Sequence, residues 1–275
     1  MKLNNPNASV FFPGEKDLSG ITDLCIAAHQ DDVEIMAYGP ISNCYGKHSF
    51  AAVIVTDGAG SPRTGEFAGY TDEEMKAVRQ REQTEAATLG DYRAVIQLGY
   101  PSSAVKDASN GAVIEDLCRI LRETRPKRLY THNPADKHPT HVAVSLRVIE
   151  AVRRLSPDYR PELFLGLEVW RGLDWLCDAD KVRLDTGAYP ELARKLLTVH
   201  RSQVAGGKRY DEAAIGRRAA NATFFASHET DEKSGISFGL DLLPLLDADT
   251  TPAEYVAALI ERFANEVRET IGGLS

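Results

Sequence analysis

Leu24-Cys25-Ile26-Ala27-Ala28 runs directly into His29-Gln30-Asp31-Asp32-Val33-Glu34. An unbroken apolar run closed by polar residues suits a strand buried on both faces. The imidazole and three acids that follow it cannot sit together in a dry environment unaided. Their mutual repulsion must be offset by water, a partner cation or a bound metal. The stretch thus reads as a buried strand that ends at a polar site.

Working outward, similar apolar runs occur at 51–56, 94–98 and 128–131, with a further strand in ELFLGLEVW at 162–170. Helical patterns lie between them: 73–90, with Gly90 as a C-cap, 113–124, and 141–155. Strands alternating with helices of this length form βαβ units. The expected fold is α/β, a mostly parallel Rossmann-like sheet with helices on both faces. Further helices are expected at 192–200, 211–225 and 253–271, making a helical C-terminal elaboration on a single domain spanning 1–275.

With 275 residues, 43% hydrophobic and 26% charged, the chain can bury a large core. A formal charge of −8 without a basic block or stripe argues against nucleic acid as a partner. No window resembles a signal segment or a membrane span, so the expected address is the cytoplasm, with no membrane partner. Cys25, Cys44, Cys118 and Cys177 show no Cys-x-x-Cys spacing and are expected to be reduced and structural.

In wound α/β sheets ligands bind beyond the carboxyl ends of the strands. Both polar clusters of this chain fall there. The second, Thr131-His132-Asn133-Pro134-Ala135-Asp136-Lys137-His138-Pro139-Thr140-His141, follows the run at 128–131 and brings three of the chain's seven histidines, with His29 a fourth. Imidazole and carboxylate without thiolate suit zinc or another divalent first-row ion. His29 and Asp32 are three apart and so are His138 and His141, and Pro139 fits the first turn of a helix carrying His141. His29, Asp32 and one histidine of the second cluster would meet the three-ligand count of a catalytic zinc site, leaving Asp31 to act on water.

These residues resemble the LmbE-like or PIG-L N-deacetylases, whose first strand leads into Ala-His-Pro-Asp-Asp. Here Ala28, His29, Asp31 and Asp32 match, and Gln30 replaces the proline. Asp136-Lys137-His138-Pro139-Thr140-His141 resembles the family's Asp-x-His-Pro-Asp-His, with Thr140 at the position of its second aspartate. The helix with Arg79 and Glu82, and His200-Arg201-Ser202-Gln203, resemble further family segments, so the likeness covers roughly 20–205, leaving 206–275 as the elaboration. It implies His29, Asp32 and His141 as zinc ligands, Asp31 as general base and His138 as the group that stabilises or protonates the transition state. It also implies a small amino-sugar substrate of the N-acetylglucosamine type, and assigns Arg79 to substrate binding. Asp136 could take the imidazolium-holding place that Thr140 cannot fill. Glu34 is expected behind the ligands as an acceptor.

Each feature also has a plainer explanation. Asp-Asp pairs are usually solvated, His-x-x-His near a helix start is often capping, and Arg79 could form an exposed helix pair with Glu82 or Asp72. His132 is read as satisfying a backbone group, His200 as structural or pocket-lining, His228 as surface, and Trp170-Arg171 as packing at a sheet edge. The rival function is a non-catalytic small-ligand or nucleotide-binding module whose clusters are merely polar loop ends. Within the enzyme class, an amide in a thiol-sugar conjugate is the alternative substrate. The segments 61–70 and 102–110 have no assigned role. The C-terminal helical surface is expected to support a homo-oligomer.

Overall fold

The structure, a computed structural model, describes residues 1–205, 207–247 and 249–274. Its strands are β1 (Ser9–Phe11), β2 (Asp23–Ala27), β3 (Phe50–Thr56), β4 (Ala94–Tyr100), β5 (Arg128–His132), β6 (Leu163–Leu167), β7 (Lys181–Asp185) and β8 (Ile236–Asp241). They form one sheet in the order β1-β4-β3-β2-β5-β6-β8-β7. The central β4, β3, β2, β5 and β6 are parallel. β1 is antiparallel to β4 at one edge, and β8 is antiparallel to both β6 and β7 at the other. The helices are α1 (Asp32–Met36), α2 (Tyr38–Cys44), α3 (Asp72–Leu89), α4 (Ser102–Lys106), α5 (Gly111–Thr124), α6 (Pro139–Leu155), α7 (Pro190–Thr198), α8 (Arg201–Val204), α9 (Tyr210–Thr223) and α10 (Pro252–Leu274).

The period of two along β2 divides the core. Leu24, Ile26 and Ala28 face one way, into a cluster with α5 and α6, while Cys25 and Ala27 face α1, α2, α3 and α7. With both faces covered, every residue of β2 and β3 is buried, which is why these strands read as continuous apolar runs. A capping box between Thr71 and Glu74 starts α3. Gly90 does close α3, but with φ −84° it is not left-handed. A Cβ there would lie 2.4 Å from the Tyr92 ring, so space for that ring is what calls for glycine.

The C-terminal elaboration is not wholly helical. β8 inserts between β6 and β7, sending Ile236, Phe238 and Leu240 into the α6-side core. Ser237 and Gly239 alternate with them, so no continuous apolar run marks this strand. All four cysteines are free and buried. Among the described residues no helix is long and apolar enough to cross a membrane.

The chain's winding reverses between β2 and β5, and there the strands part. β2 pairs with β3 as far as Ala27 but with β5 only to Cys25–Tyr130. Beyond that point side chains replace the ladder. Thr131 Oγ1 donates to the Ile26 carbonyl at 2.9 Å, and the Ala28 amide donates to His132 Nε2 at 2.8 Å. A crevice at such a reversal is where wound sheets hold ligands.

The opposite end of the same strand pair is clamped. Arg128 Nε and Nη2 donate to the two oxygens of Asp23 at 2.7 and 2.6 Å, and the Tyr130 hydroxyl adds a bond of 3.0 Å. Asp23→Ala would leave the buried Tyr130 hydroxyl unpaired and Arg128 without its anion. Breaking a buried pair costs about 3–5 kcal/mol, and Arg128 keeps some access to water, so we expect a loss of about 2–3 kcal/mol. Urea unfolding checks this: the midpoint should fall without a change in slope, and an unchanged midpoint would refute the clamp.

Candidate metal centre

The turn leaving β2 carries the first cluster. Asp31 sits at φ 96°, a left-handed value that a non-glycine residue adopts only under constraint, and this twist separates its carboxylate from that of Asp32. Asp32 opens α1, and its Oδ2 accepts from the His29 amide at 2.7 Å while lying 3.1 Å from His29 Nδ1. From the other side of the crevice, Pro139 at the first turn of α6 sets His141 facing back, with Nε2 3.1 Å from His29 Nδ1 and 3.3 Å from Asp32 Oδ2.

Three donor atoms thus meet, spaced 3.1 to 3.3 Å apart. Ligands about 2.0–2.1 Å from a tetrahedral ion are about 3.3 Å apart, so the set fits zinc or a similar cation. Asp136 stands behind it: Oδ2 lies 3.5 Å from His141 Nδ1, and the carboxylate also accepts from the amides of His138 at 3.1 Å and Trp170 at 3.2 Å. A carboxylate behind a ligating imidazole fixes the ring's tautomer and orientation. Two further histidines come close. His138 Nδ1 has no hydrogen-bond partner among the described residues, and its ring packs edge-on to His29 with centroids 5.0 Å apart. His132 stacks on His141 at 3.9 Å, but its Nε2 lone pair already takes the Ala28 amide, so the ring serves the backbone.

Charge follows this geometry. His141, His29 and His132 outweigh burial and hold Asp32 well below the ordinary carboxylate range. Burial alone would lower His141, yet Asp32 and Asp136 hold it up to about 9. His138 is pushed down to about 4 by burial and by the neighbouring His141 and His29. Burial raises Asp31 to about 6, against the pull of the Arg79 guanidinium.

Arg79 is not at an open face. It is 1% exposed, and its guanidinium donates to the Gln30 carbonyl and lies 3.3 Å from Asp31 Oδ1, 3.2 Å from Glu82 Oε2 and 3.4 Å from Ser202 Oγ. Glu82 in turn accepts from the Ser202 amide and hydroxyl, both at 2.7 Å. Arg79 therefore ties α3, the turn after β2 and the segment before α9 into one unit behind Asp31. The approach is tight: Gly58, at φ +78°, would place a Cβ 2.9 Å from the Arg79 side chain and from Gln30 Oε1. Glu34 touches none of the three donor atoms. It accepts from Tyr92 at 2.7 Å, Gln83 at 2.9 Å and His200 at 3.1 Å, and Gln83 Oε1 accepts from the Asp31 amide.

His29, Asp31, Asp32 and His138 form the floor of a cavity of about 640 Å³, with His141 buried behind them. Its walls bring in Gln203 of the 200–203 segment and, outside every motif, Trp170, Lys208, Tyr210 and Arg217. Trp170 thus lines the cavity, contrary to the sheet-edge expectation, because the chain after β6 turns across the crevice. The segments without an assigned role also contribute, through Ser61 and Pro62 and through Ser102 and Lys106. His200 is buried against Glu34 and His228 is exposed, as expected.

Removing Arg79 alone would strand two buried carboxylates. Arg79→Met should cost about 3–5 kcal/mol, whereas combining it with Glu82→Leu should recover part of that loss. Urea unfolding of both variants tests the linkage, and a double variant no more stable than the single one would refute it.

Comparison with known proteins completes the site. Residues 24–152 match the family model described as PIG-L: GlcNAc-PI de-N-acetylase. No curated protein matches the sequence. Among solved structures, a conserved protein from Thermus thermophilus aligns with a TM-score of 0.63 at 20% identity, covering 82% of this chain and 95% of that one. The N,N'-diacetylchitobiose deacetylase of Pyrococcus horikoshii aligns with 0.60 at 21%, covering 86% of each chain. The 4-carboxy-2-hydroxymuconate hydratase of Pseudomonas putida aligns with 0.58 at 14%, covering 81% and 96%. The fold alone therefore accommodates more than one reaction. The matched segment holds His29, Asp31, Asp32, Arg79, Asp136, His138 and His141, and over it this chain is similar to the PIG-L family.

Proposed function

We propose that the protein is a zinc-dependent hydrolase that removes the N-acetyl group from a small N-acetylglucosamine-type conjugate. One observation carries the reading: His29 Nδ1, His141 Nε2 and Asp32 Oδ2 converge at the cavity floor with the Asp31 carboxylate beside them. The family match and the diacetylchitobiose deacetylase among its structural neighbours support amide hydrolysis over hydration.

His29, Asp32 and His141 would hold the ion, with Asp136 orienting His141. When bound, a divalent cation supplies Lewis-acid chemistry, polarising the amide carbonyl and making water more acidic. Asp31 takes the proton of the attacking water, and its carboxyl, lifted toward neutrality by burial, suits a base that later gives the proton up. Arg79 positions Asp31 through the Gln30 carbonyl and the ion pair, and it also lines the cavity, where the substrate contact expected of it would be made. His138 faces the cavity as a neutral ring and can donate an N–H to the developing oxyanion. Attack forms the C–O bond. Collapse breaks the C–N bond, releasing acetate and the protonated amine.

The whole chain acts as one domain, and four free buried cysteines suit a reducing cytoplasm. α10 exposes Ile260, Val267 and Leu274, and a homo-oligomer would use that stripe. Light scattering decides this last point, a monomer mass at micromolar concentration refuting it.

The catalytic reading is tested by acetate release from a panel of N-acetylglucosamine conjugates, with metal content measured in parallel. Alanine at His29 or His141, and Asp32→Asn, should lose stoichiometric metal. Asp31→Asn should keep metal and lose about 10²–10⁴-fold in turnover. Loss of metal from Asp31→Asn with retention in Asp32→Asn would exchange the two roles. Full turnover in both would remove the turn after β2 from catalysis.

A further inference from the structure

α10 starts on the body of the protein and runs off it. One edge of the helix is anchored: the Tyr255 hydroxyl donates to the Asp241 carbonyl at 2.8 Å, Leu259 is buried, Arg262 Nη1 lies 2.9 Å from Asp180 Oδ1, and Glu266 reaches the Cys177 thiol. Every residue from Asn265 to Leu274 is nevertheless exposed. About a third of a turn from the anchored edge runs a second line of residues, Ile260, Ala264, Val267, Ile271 and Leu274, in steps of four, three, four and three. That alternation is a coiled-coil seam, narrower than the face a helix lays on a globular core. Ile260, Val267, Ile271 and Leu274 are exposed along it. The last turns of a helix have little stability of their own in water, so such a seam calls for a second helix.

Size and charge identify that helix. The seam extends back to Ala257, and its two heptad positions differ in bulk: Ala257 and Ala264 fall at one, Ile260, Val267 and Leu274 at the other. Two copies of α10 running in the same direction would set alanine against alanine and leave gaps between thicker layers. Running in opposite directions, they set Ala264 against Val267 of the second copy, Ala257 against its Leu274 and Ile260 against its Ile271. The flanks agree. Arg268 Nη1 reaches back along the helix to Glu261 Oε1 at 2.7 Å, which places both groups on one side of the seam. In the antiparallel register that side meets its own counterpart, Glu261 facing Arg268 of the second copy and Arg268 facing its Glu261. In a parallel pair each would meet the other side, where Phe263 and Thr270 stand and offer no charge.

We infer that two copies of the chain associate through α10 as an antiparallel two-fold pair, in the register that joins Glu261 to Arg268. This rests on the homo-oligomer reading of the same stripe and adds the number of copies, their direction and the residues that choose it. A two-fold contact closes on itself, so association stops at two. The helices are short and bury less than the roughly 1,600 Å² of a standard interface, so monomer and dimer exchange in the micromolar range.

Sedimentation equilibrium of the full chain tests the pairing. The mass should rise toward that of a dimer with concentration, and Val267→Glu, checked for folding by its melting transition, should stay monomeric. Glu261→Arg sets arginine against arginine twice across the axis, and Arg268→Glu sets acid against acid. Each should weaken the dimer about 10-fold. Mixed in equal amounts, at a concentration where each alone is monomeric, these two variants should form a dimer, because every contact between the flanks then joins opposite charges. Repulsion confined within one helix would not be relieved by mixing, so this recovery reports a contact between copies. A natural chain that stays monomeric overturns both the pairing and the oligomer reading. Association that Val267→Glu abolishes but neither charge variant moves, or a mixture that fails to recover, overturns the antiparallel register and leaves a homo-oligomer through the stripe. Association indifferent to Val267→Glu removes the stripe from it altogether, and a mass beyond the dimer overturns the closed pair.

Discussion

Everything at the site depends on β2 and β5 ceasing to pair after Cys25 and Tyr130. Two adjacent parallel strands cannot separate inside a core without leaving backbone groups orphaned, and an unmet buried amide or carbonyl costs about 1–3 kcal/mol. Thr131 and His132 remove that cost by bonding the Ile26 carbonyl and the Ala28 amide. The crevice is therefore held open by side chains of β5. Those same two bonds settle what His132 does: a ring whose lone pair serves the backbone is unavailable to a cation, although it lies beside Asp32 and His141. His141, in the first turn of α6, is free to face the gap.

A second constraint acts on Asp31. Its φ of 96° is a conformation that costs of order 1–3 kcal/mol for a residue with a side chain. Arg79 supplies the restraint, gripping the Gln30 carbonyl on one side of that residue and the Asp31 carboxylate on the other. Gln83 holds the amide between them. Adjacent aspartates thereby diverge, Asp32 into the histidine cluster and Asp31 toward the cavity. Arg79 and Glu82 in turn hold Ser202, so the chain entering α9, and with it the cavity wall of Lys208 and Tyr210, is positioned from the same buried guanidinium.

The parts of this arrangement that follow from local patterns were legible in the sequence. Strands buried on both faces appear as apolar runs, and β2 through β6 lie where such runs occur, with His29, Asp32 and His141 beyond their ends. The parts set by packing were not. β8 alternates with Ser237 and Gly239, and its place between β6 and β7 depends on which edge is open. Arg79 reads either as a substrate-binding residue by resemblance or as half of an exposed helix pair with Glu82 or Asp72 by spacing, and neither reading points to its distant partners Gln30 and Ser202. Trp170, Lys208 and Arg217 carry no spacing signature. Their meeting requires the turn after β6 to cross the crevice and α9 to return over it.

Thr140 stands where a second acid would be, and the consequence can be followed to the proton. Asp136 is the carboxylate behind the second cluster, and its position decides which imidazole is supported. It bonds the His138 amide but turns its Oδ2 toward His141 Nδ1 and the Trp170 amide, leaving His138 Nδ1 without a partner among the described residues. An imidazolium at 138 would be buried facing His29 and His141, which outweigh Asp32 and Asp136, and bringing a cation to the cluster adds further positive charge. His138 is therefore a neutral ring during the reaction proposed above, able to donate a hydrogen bond but not to deliver a proton to a departing amine. That leaves the carboxyl that removed the proton from water. In the proposed reaction Asp31, buried, restrained in backbone and facing the cavity, is the group placed to return it, so a single side chain would serve as base and then as acid.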